Sequence, residues 1–310
     1  MKKKALLLTS VFLIAALPGI SGCLITNTLN YSDAKKYSAG NATITDKVEN
    51  IELDYLSGIV KIKTHTENTV IISEETPDGL KDDMRVHWWL DKTTLKIKYA
   101  ASGTRQPIFG IWEKKLTLTL PESAIFSYVT VNLSSAELDT ALIKTQNLDV
   151  KTVSGKADIN CEAKNIDIES TSGRINLNAN GDITDIAVQS TSGDIDAVFE
   201  KANKANFKST SGRISIFANE TNDAVLKTTS GAIFCAFSAT PSKCKISSTS
   251  GKTTLKLPEN ADFDVKVNTT SGTFRSDFAL VKNGNHYVCK NGNADIEIKT
   301  TSGDVFVQKI

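Results

Sequence analysis

Ile166-Asp167-Ile168-Glu169-Ser170-Thr171-Ser172-Gly173-Arg174-Ile175-Asn176-Leu177 is one turn of a pattern that fills the second half of the chain. Its Thr-Ser-Gly corner, or a close variant, ends at Gly155, Gly173, Gly193, Gly212, Gly231, Gly251, Gly272 and Gly303. The glycine-to-glycine steps are 18, 20, 19, 19, 20, 21 and 31. A near-constant period of this size marks a stacked repeat architecture. Five and seven residues before each glycine lie mostly apolar residues, such as Val188 and Ile186; two and four after it lie pairs such as Ile214 and Ile216. Alternation with period two on both sides of a turn reads as strand, corner, strand. One such unit cannot bury a core alone, but stacked units can, at about 4.8 Å per coil. The fold class expected is therefore all-β: a parallel β-helix or β-solenoid built from repeats of about 20 residues, with right-handed crossovers.

Within the corner, glycine is expected to supply a tight turn or a positive φ. Three residues before it always stands Ser or Thr, from Thr152 to Thr300. Parity points that hydroxyl inward, where an unpaired hydroxyl costs roughly 1–3 kcal/mol. A partner along the stack or in the turn backbone is expected, and the column reads as structural. Outward positions vary freely. The row containing Lys151, Glu169, Gln189, Lys208 and Lys227 is mildly basic, as a solvated face often is.

The domain organisation expected is a leader over 1–22, a lipidated Cys23 with a tether to residue 47, an irregular N-terminal β region over 48–147, and the repeats over 148–310. Lys2, Lys3 and Lys4 precede an apolar stretch over 5–17. That stretch is too short to span a bilayer of about 30 Å and reads as a signal peptide. It ends in Ile20-Ser21-Gly22-Cys23, which resembles the lipobox of bacterial lipoproteins. The resemblance implies cleavage before Cys23, acylation of its sulfur, and the lipid bilayer as a partner. Leu24 stands where Asp often marks inner-membrane retention, so the outer membrane is favoured in a Gram-negative envelope.

Ile51, Leu53, Ser57-Gly58, Val60 and Ile62 keep the repeat's offsets and read as an early coil. Asn132-Leu133-Ser134-Ser135-Ala136 reads as a corner whose glycine became Ala. Inside the 31-residue step, two Asn-Gly pairs at Asn283-Gly284 and Asn291-Gly292 predict a protruding hairpin inserted in the last coil.

Composition is that of a soluble globular protein, 40% hydrophobic and 23% charged. Without the three leader lysines, 33 basic groups face 35 acidic ones, so nucleic acid is not an expected partner. Cys161, Cys235, Cys244 and Cys289 lack metal-site spacing. Cys235 and Cys244 both point inward in one coil and could form a disulfide across Ser238-Ala239-Thr240-Pro241-Ser242; the alternative is two small core residues.

Catalytic signals are sparse. His65, His87 and His286 are scattered, and no nucleophile elbow or phosphate loop occurs. Eight equivalent serines make a ladder rather than a catalytic centre. Asp158, Asn176 and Asp196, three residues after successive glycines, could stack as acids on a β-helix polysaccharide lyase or hydrolase. The column continues as Ser215 and Phe234, which weakens that reading. Trp88-Trp89 and Trp112 are the aromatics of interest: neighbours on a strand face opposite sides, so one of Trp88 and Trp89 is a candidate exposed binding ring. No catalytic residue, cofactor or metal site is expected.

The Ser/Thr-Thr-Ser-Gly corners followed by alternating Ile or Val, with strand ends at Leu120-Pro121 and Leu257-Pro258, resemble the DUF4097 family of exported β-strand-repeat proteins. The likeness spans roughly residues 50–310. It implies a cell-envelope protein described as an adhesin, and some relatives belong with envelope-stress systems. The family carries no agreed catalytic residues. The function expected is a non-enzymatic, lipid-anchored adhesin or structural module whose partner is a glycan, a matrix component or an envelope protein. The alternatives are an envelope-stress accessory acting on a membrane partner and, third, the polysaccharide enzyme.

Overall fold

A computed structural model describes residues 28–105 and 114–310. Its 24 strands join in one hydrogen-bonded sheet that winds as a β-solenoid. Among the described residues the only helical turns are the 3-10 segments Ala34–Lys36 and Asp82–Met84. No helix of the described residues is long and apolar enough to cross a membrane. The leader, Cys23 and Trp112 lie outside the described residues.

The central coils follow the expected plan. Ala157–Ser170, Ile175–Ser190 and Ile195–Ser209 each run from one corner to the next, pair in parallel, and bend midway. The bend carries a register shift, between Glu162 and Asn165 in one coil and between Ala179 and Asp182 in the next. Each coil therefore has two faces, one after the glycine and one before the next. The inward residues of both faces merge into one apolar core. β-branched and aromatic residues suit this pleated, buried surface.

The corner glycines decide between the two roles expected of them, a tight corner or a positive φ. None of the eight Thr-Ser-Gly glycines has a positive φ. Close approach is what excludes a side chain. A Cβ on Gly173 would stand 1.9 Å from the carbonyl oxygen of Gly155, and one on Gly193 would stand 2.0 Å from that of Gly173. The early corner differs, because Gly58 combines φ +94° with the same close approach, to Lys114 O. The inward hydroxyls bond within their own corners rather than in a ladder between coils, except Ser190 Oγ, which is buried without a partner. The Gly212 N–H donates to Ser209 Oγ at 2.8 Å, and the Gly303 N–H to Thr300 Oγ1 at 2.9 Å. Ser170 Oγ instead donates to the Gly173 carbonyl at 2.8 Å.

Stacking order departs from chain order at both ends. Lys243–Ser248 pairs with Ala294–Thr300, which pairs in turn with Phe263–Thr269. The last coil of the chain thus lies beneath the one before it, and the coil of Phe263–Thr269 is outermost. The long step supplies the chain needed for this return. Its hairpin, Val281–Asn283 with His286–Cys289, does not protrude as expected; His286–Cys289 covers the outer edge of Phe263–Thr269 in antiparallel fashion. At the other end, Asn50–Tyr55 pairs on one side with Phe126–Leu133 and on the other with Thr94–Lys98. The first coil is again second from the end. Antiparallel strands His87–Asp91 and Val70–Glu75 cover both faces at this end, whereas at the other end Phe263–Thr269 is covered and the short strand Phe274–Ser276 pairs on one side alone.

Residues 28–47 were expected to be part of a tether. They lie on the N-terminal cap instead: Ser38–Ala39 pairs with His87 and Trp88, Ala42–Ile44 with Val70–Ile72, and Thr28 bridges Arg105. Under this cap a buried ion pair takes the place of apolar packing. Lys114 Nζ lies 2.7 Å from Glu74 Oε1, both side chains fully shielded from solvent. Lys114 also donates to the carbonyls of Met84 and Tyr99 and lies 3.9 Å from the Tyr99 ring centre. Glu74 accepts from the Tyr55 hydroxyl and the Val86 N–H. Burial pushes the Lys114 ammonium below its usual pKa, although Glu74 opposes the shift.

Candidate functional site

The outward face that follows the corner glycines carries the most distinctive surface of the described residues. Strand geometry puts residues three and five positions after each glycine outward, about 6.8 Å apart along the strand. Parallel register stacks the first set as Asp158, Asn176, Asp196, Ser215 and Phe234. It stacks the second as Asn160, Asn178, Val198 and Phe217. Between the two rows runs a shallow trough of about 350 Å³ whose floor is the backbone around Ile159, Leu177 and Ala197.

The structure does bring Asp158, Asn176 and Asp196 together, as the repeat spacing predicted. Their partners are the new information. Lys156 Nζ lies 2.6 Å from Asp158, and Asn176 Nδ2 donates to the same carboxylate. Burial alone would raise the Asp158 pKa; these two partners outweigh it and hold the carboxyl below the usual range. A single Arg213 nitrogen, Nη2, is shared between the two Asp196 carboxylate oxygens at 2.9 and 3.1 Å. Asp194 sits between Arg174 and Arg213. Asp158 and Asp196 are two coils apart, about 9.6 Å by strand spacing. Glycoside hydrolysis needs one of its two carboxyls protonated. Here each already faces a cation, and Asp158 is held ionised.

The trough ends in exposed apolar groups. Val198 is 51% and Phe217 49% exposed. Phe234 leans on Phe217 with ring centres 5.2 Å apart. The sequence signal for this apolar end is an outward Val198 and Phe217 at the same offset in adjacent repeats.

The tryptophans divide as strand parity requires. Trp88 packs against the core, and its Nε1 is buried without a hydrogen-bond partner. Trp89 points to the other side, but its ring is already engaged. Lys36 and Lys96 ammonium groups lie 4.6 and 4.8 Å from its centre, and Tyr37 meets it at 5.7 Å. The cations belong to ion pairs with Asp33 and Asp91. This cluster is saturated internally and leaves little ring surface for a ligand.

Cys235 and Cys244 are buried thiols and are not bonded to each other. Cys235 Sγ is 3.7 Å from the Thr254 carbonyl. The histidines do not converge: His65 contacts the Thr69 carbonyl, His87 that of Arg85, and His286 the Asp264 carboxylate. Among the described residues no three His, Cys, Asp or Glu side chains are grouped to hold a metal ion.

Two-faced coils and glycine corners in backbone contact define a β-solenoid. The chain belongs to the Toastrack DUF4097 family, whose pattern matches residues 48–308. Among solved structures it is similar to a candidate adhesin from Parabacteroides distasonis, at 11% identity over 89% of this chain and 97% of that one, with a TM-score of 0.45. A candidate adhesin from Bacteroides fragilis is 15% identical over 89% and 98% of the two chains, with a TM-score of 0.40. A candidate lipid-binding protein from Parabacteroides distasonis is 12% identical over 89% and 97%, with a TM-score of 0.37. None of the curated proteins matches this chain.

Proposed function

We propose that this protein is a non-enzymatic, lipid-anchored binding module of the bacterial cell envelope. The observation that carries the reading is the trough: half-exposed Val198 and Phe217 lie beside carboxylates already neutralised by Lys156 and Arg213. Exposed apolar groups in a concavity favour contact with a partner. Carboxylates held by cations suit recognition better than proton transfer. The lipobox-like sequence at Cys23 would supply the anchor. Adhesion to a glycan, a matrix component or an envelope partner follows from such a surface. An outer-membrane location follows from Leu24 if the envelope has two membranes.

Two experiments test the reading. Cys23→Ser is expected to abolish labelling by radioactive palmitate and to release the protein from the membrane fraction; retention of both would remove the anchor. Val198→Arg combined with Phe217→Glu is expected to abolish adsorption to purified envelope material without moving the thermal midpoint. Unchanged adsorption would remove the trough as the binding surface.

A further inference from the structure

The trough changes chemistry along its length. In one wall, Asn160 Nδ2 donates to the Thr140 carbonyl at 2.8 Å, and Asn178 Nδ2 donates to Asn160 Oδ1 at 3.1 Å. The next residue of that row is Val198, which has no donor to continue the ladder. Asn178 lines the trough and is exposed, and no described residue donates to its Oδ1. In the other wall, Asn176 spends its Nδ2 on Asp158, and its neighbour on the far side is Asp196, a carboxylate that accepts from Arg213. Among the described residues Asn176 Oδ1 therefore also accepts from none. Both Nδ2 groups reach back to the preceding coil, so the two amide oxygens lie at one level of the stack and turn toward the next coil, on residues about 6.8 Å apart along the strand. One coil further on, the wall becomes Val198, and beyond it stands the ring of Phe217.

These features select a ligand by elimination. Acceptors without donors call for a ligand that brings its own hydrogens. Asp158 and Asp196 disfavour an anionic polymer, while Lys156 and Arg213 already satisfy them and leave no call for a cation. A peptide adding as a strand would need a free edge, but the strands that floor the trough are paired on both sides. What remains is a molecule with many hydroxyl groups, no charge, and an apolar C–H face to lie on an aromatic ring.

We propose that the trough binds a segment of neutral polysaccharide, whose hydroxyls donate to Asn176 Oδ1 and Asn178 Oδ1 while one sugar ring lies on Phe217. The proposal rests on the reading of this face as a binding surface. The chain axis of the ligand runs along the solenoid, across three coil steps or about 14 Å from Asp158 to Ser215.

The test is affinity electrophoresis of the full mature chain in detergent, through gels containing dextran, mannan, hydroxyethyl cellulose or glycol chitin, with polygalacturonate as the acidic control. In parallel, a photo-crosslinking amino acid replaces Val198 in cells. Retardation by at least one uncharged polysaccharide and not by polygalacturonate, weakened at least about tenfold by Phe217→Ala and by Asn178→Ala at unchanged thermal midpoint, is the result expected of a residue set that touches ligand. Retardation that survives both substitutions overturns the proposal, as does preference for polygalacturonate. No retardation together with a discrete protein crosslink at position 198 overturns the sugar class and leaves the face as a protein-binding surface. No retardation and no crosslink overturns both.

Discussion

A Cβ placed on Gly272 would stand 2.0 Å from the carbonyl oxygen of Gly303, a residue 31 positions later in the chain. Gly303 makes the same contact with Gly251, and Gly251 makes it with Gly231. The corner glycines thus form one column whose order is that of the stack rather than of the chain. The column also explains the repeat, because a methyl group at any of these corners must push two coils apart. Gly193→Ala is therefore expected to cost about 3 kcal/mol or more, from overpacking against backbone that cannot rotate away. Gly284→Ala is the control. It meets nothing within 4 Å and has φ +63°, so only the left-handed backbone opposes it, at about 1–2 kcal/mol. Urea unfolding midpoints of the two variants measure the difference, and equal losses would dismiss the close-contact account.

The buried pair under the N-terminal cap makes a different prediction. Lys114 and Glu74 are both fully shielded, and their remaining hydrogen-bonding capacity is met by Tyr55, Val86, Met84 and Tyr99. Lys114→Met leaves the Glu74 carboxylate without its cation. The expected loss is roughly 3–5 kcal/mol. Replacing both residues, as Lys114→Met with Glu74→Gln, should recover part of it, because no buried charge then remains. A double-substitution cycle on unfolding free energy reads the coupling directly, and additive losses would mean that the two charges act independently.

Asp149 predicts a pH dependence. Its carboxylate stacks on Asp167 in the next coil, and its Oδ1 is buried without a partner. Burial is the main cause that raises its pKa, with Glu169 adding to it and Lys151, 3.7 Å away, opposing it. A carboxyl whose pKa is higher folded than unfolded makes the native state the better proton binder. Its contribution to stability then falls as pH rises from the unfolded pKa through the folded one, and the full penalty applies at neutral pH. Asp149→Asn removes that penalty. The thermal midpoint at pH 7 should rise by roughly 1–3 °C, and the gain should vanish near pH 3, where the native residue is protonated. A gain of equal size at both pH values would place the effect elsewhere.

The sequence spoke most clearly where one physical constraint repeats. Inward Ile, Val and Leu at fixed offsets from Gly173 or Gly193 define both faces of a coil, and the near-constant step defines the stack. Gly58 and Ala136 kept enough of the pattern to be placed in the same column. Order at the ends was not legible, since Ile296 and Val265 fit equally well against Ile246 by their side chains alone. Which of them lies next to Lys243–Ser248 depends on the return path through the hairpin, a long-range choice that no local preference encodes. The carboxylate row of the trough was legible from spacing, because parallel register carries one offset up the stack. Its neutralisation by Lys156 and Arg213 was not: those side chains come from other offsets, and only their rotamers bring them to Asp158 and Asp196.

The thiols offer the last prediction. Cys161, Cys235, Cys244 and Cys289 are all buried and unbonded. Burial pushes Cys161 and Cys244 up to about 12, the nearby Asp223 adding to the shift at Cys244, and it raises Cys235 well above its ordinary value with Cys244 contributing. Cys289 is raised by burial as well. The thiolate is the reactive form, so at pH 8 a group titrating near 12 is ionised in only about one molecule in ten thousand. In the Cys23→Ser chain, Ellman's reagent is therefore expected to react negligibly with the folded protein over an hour. After unfolding in guanidinium under nitrogen, all four thiols should react without added reductant. Two reacting thiols, with two more appearing only after reduction, would instead mean that protein from an oxidising compartment closes a bridge; a peptide map joining Cys235 to Cys244 would place it. Rapid labelling of a single thiol in the folded state would indicate local opening, and Cys289, the last residue of a four-residue strand in the terminal hairpin, is where it is expected.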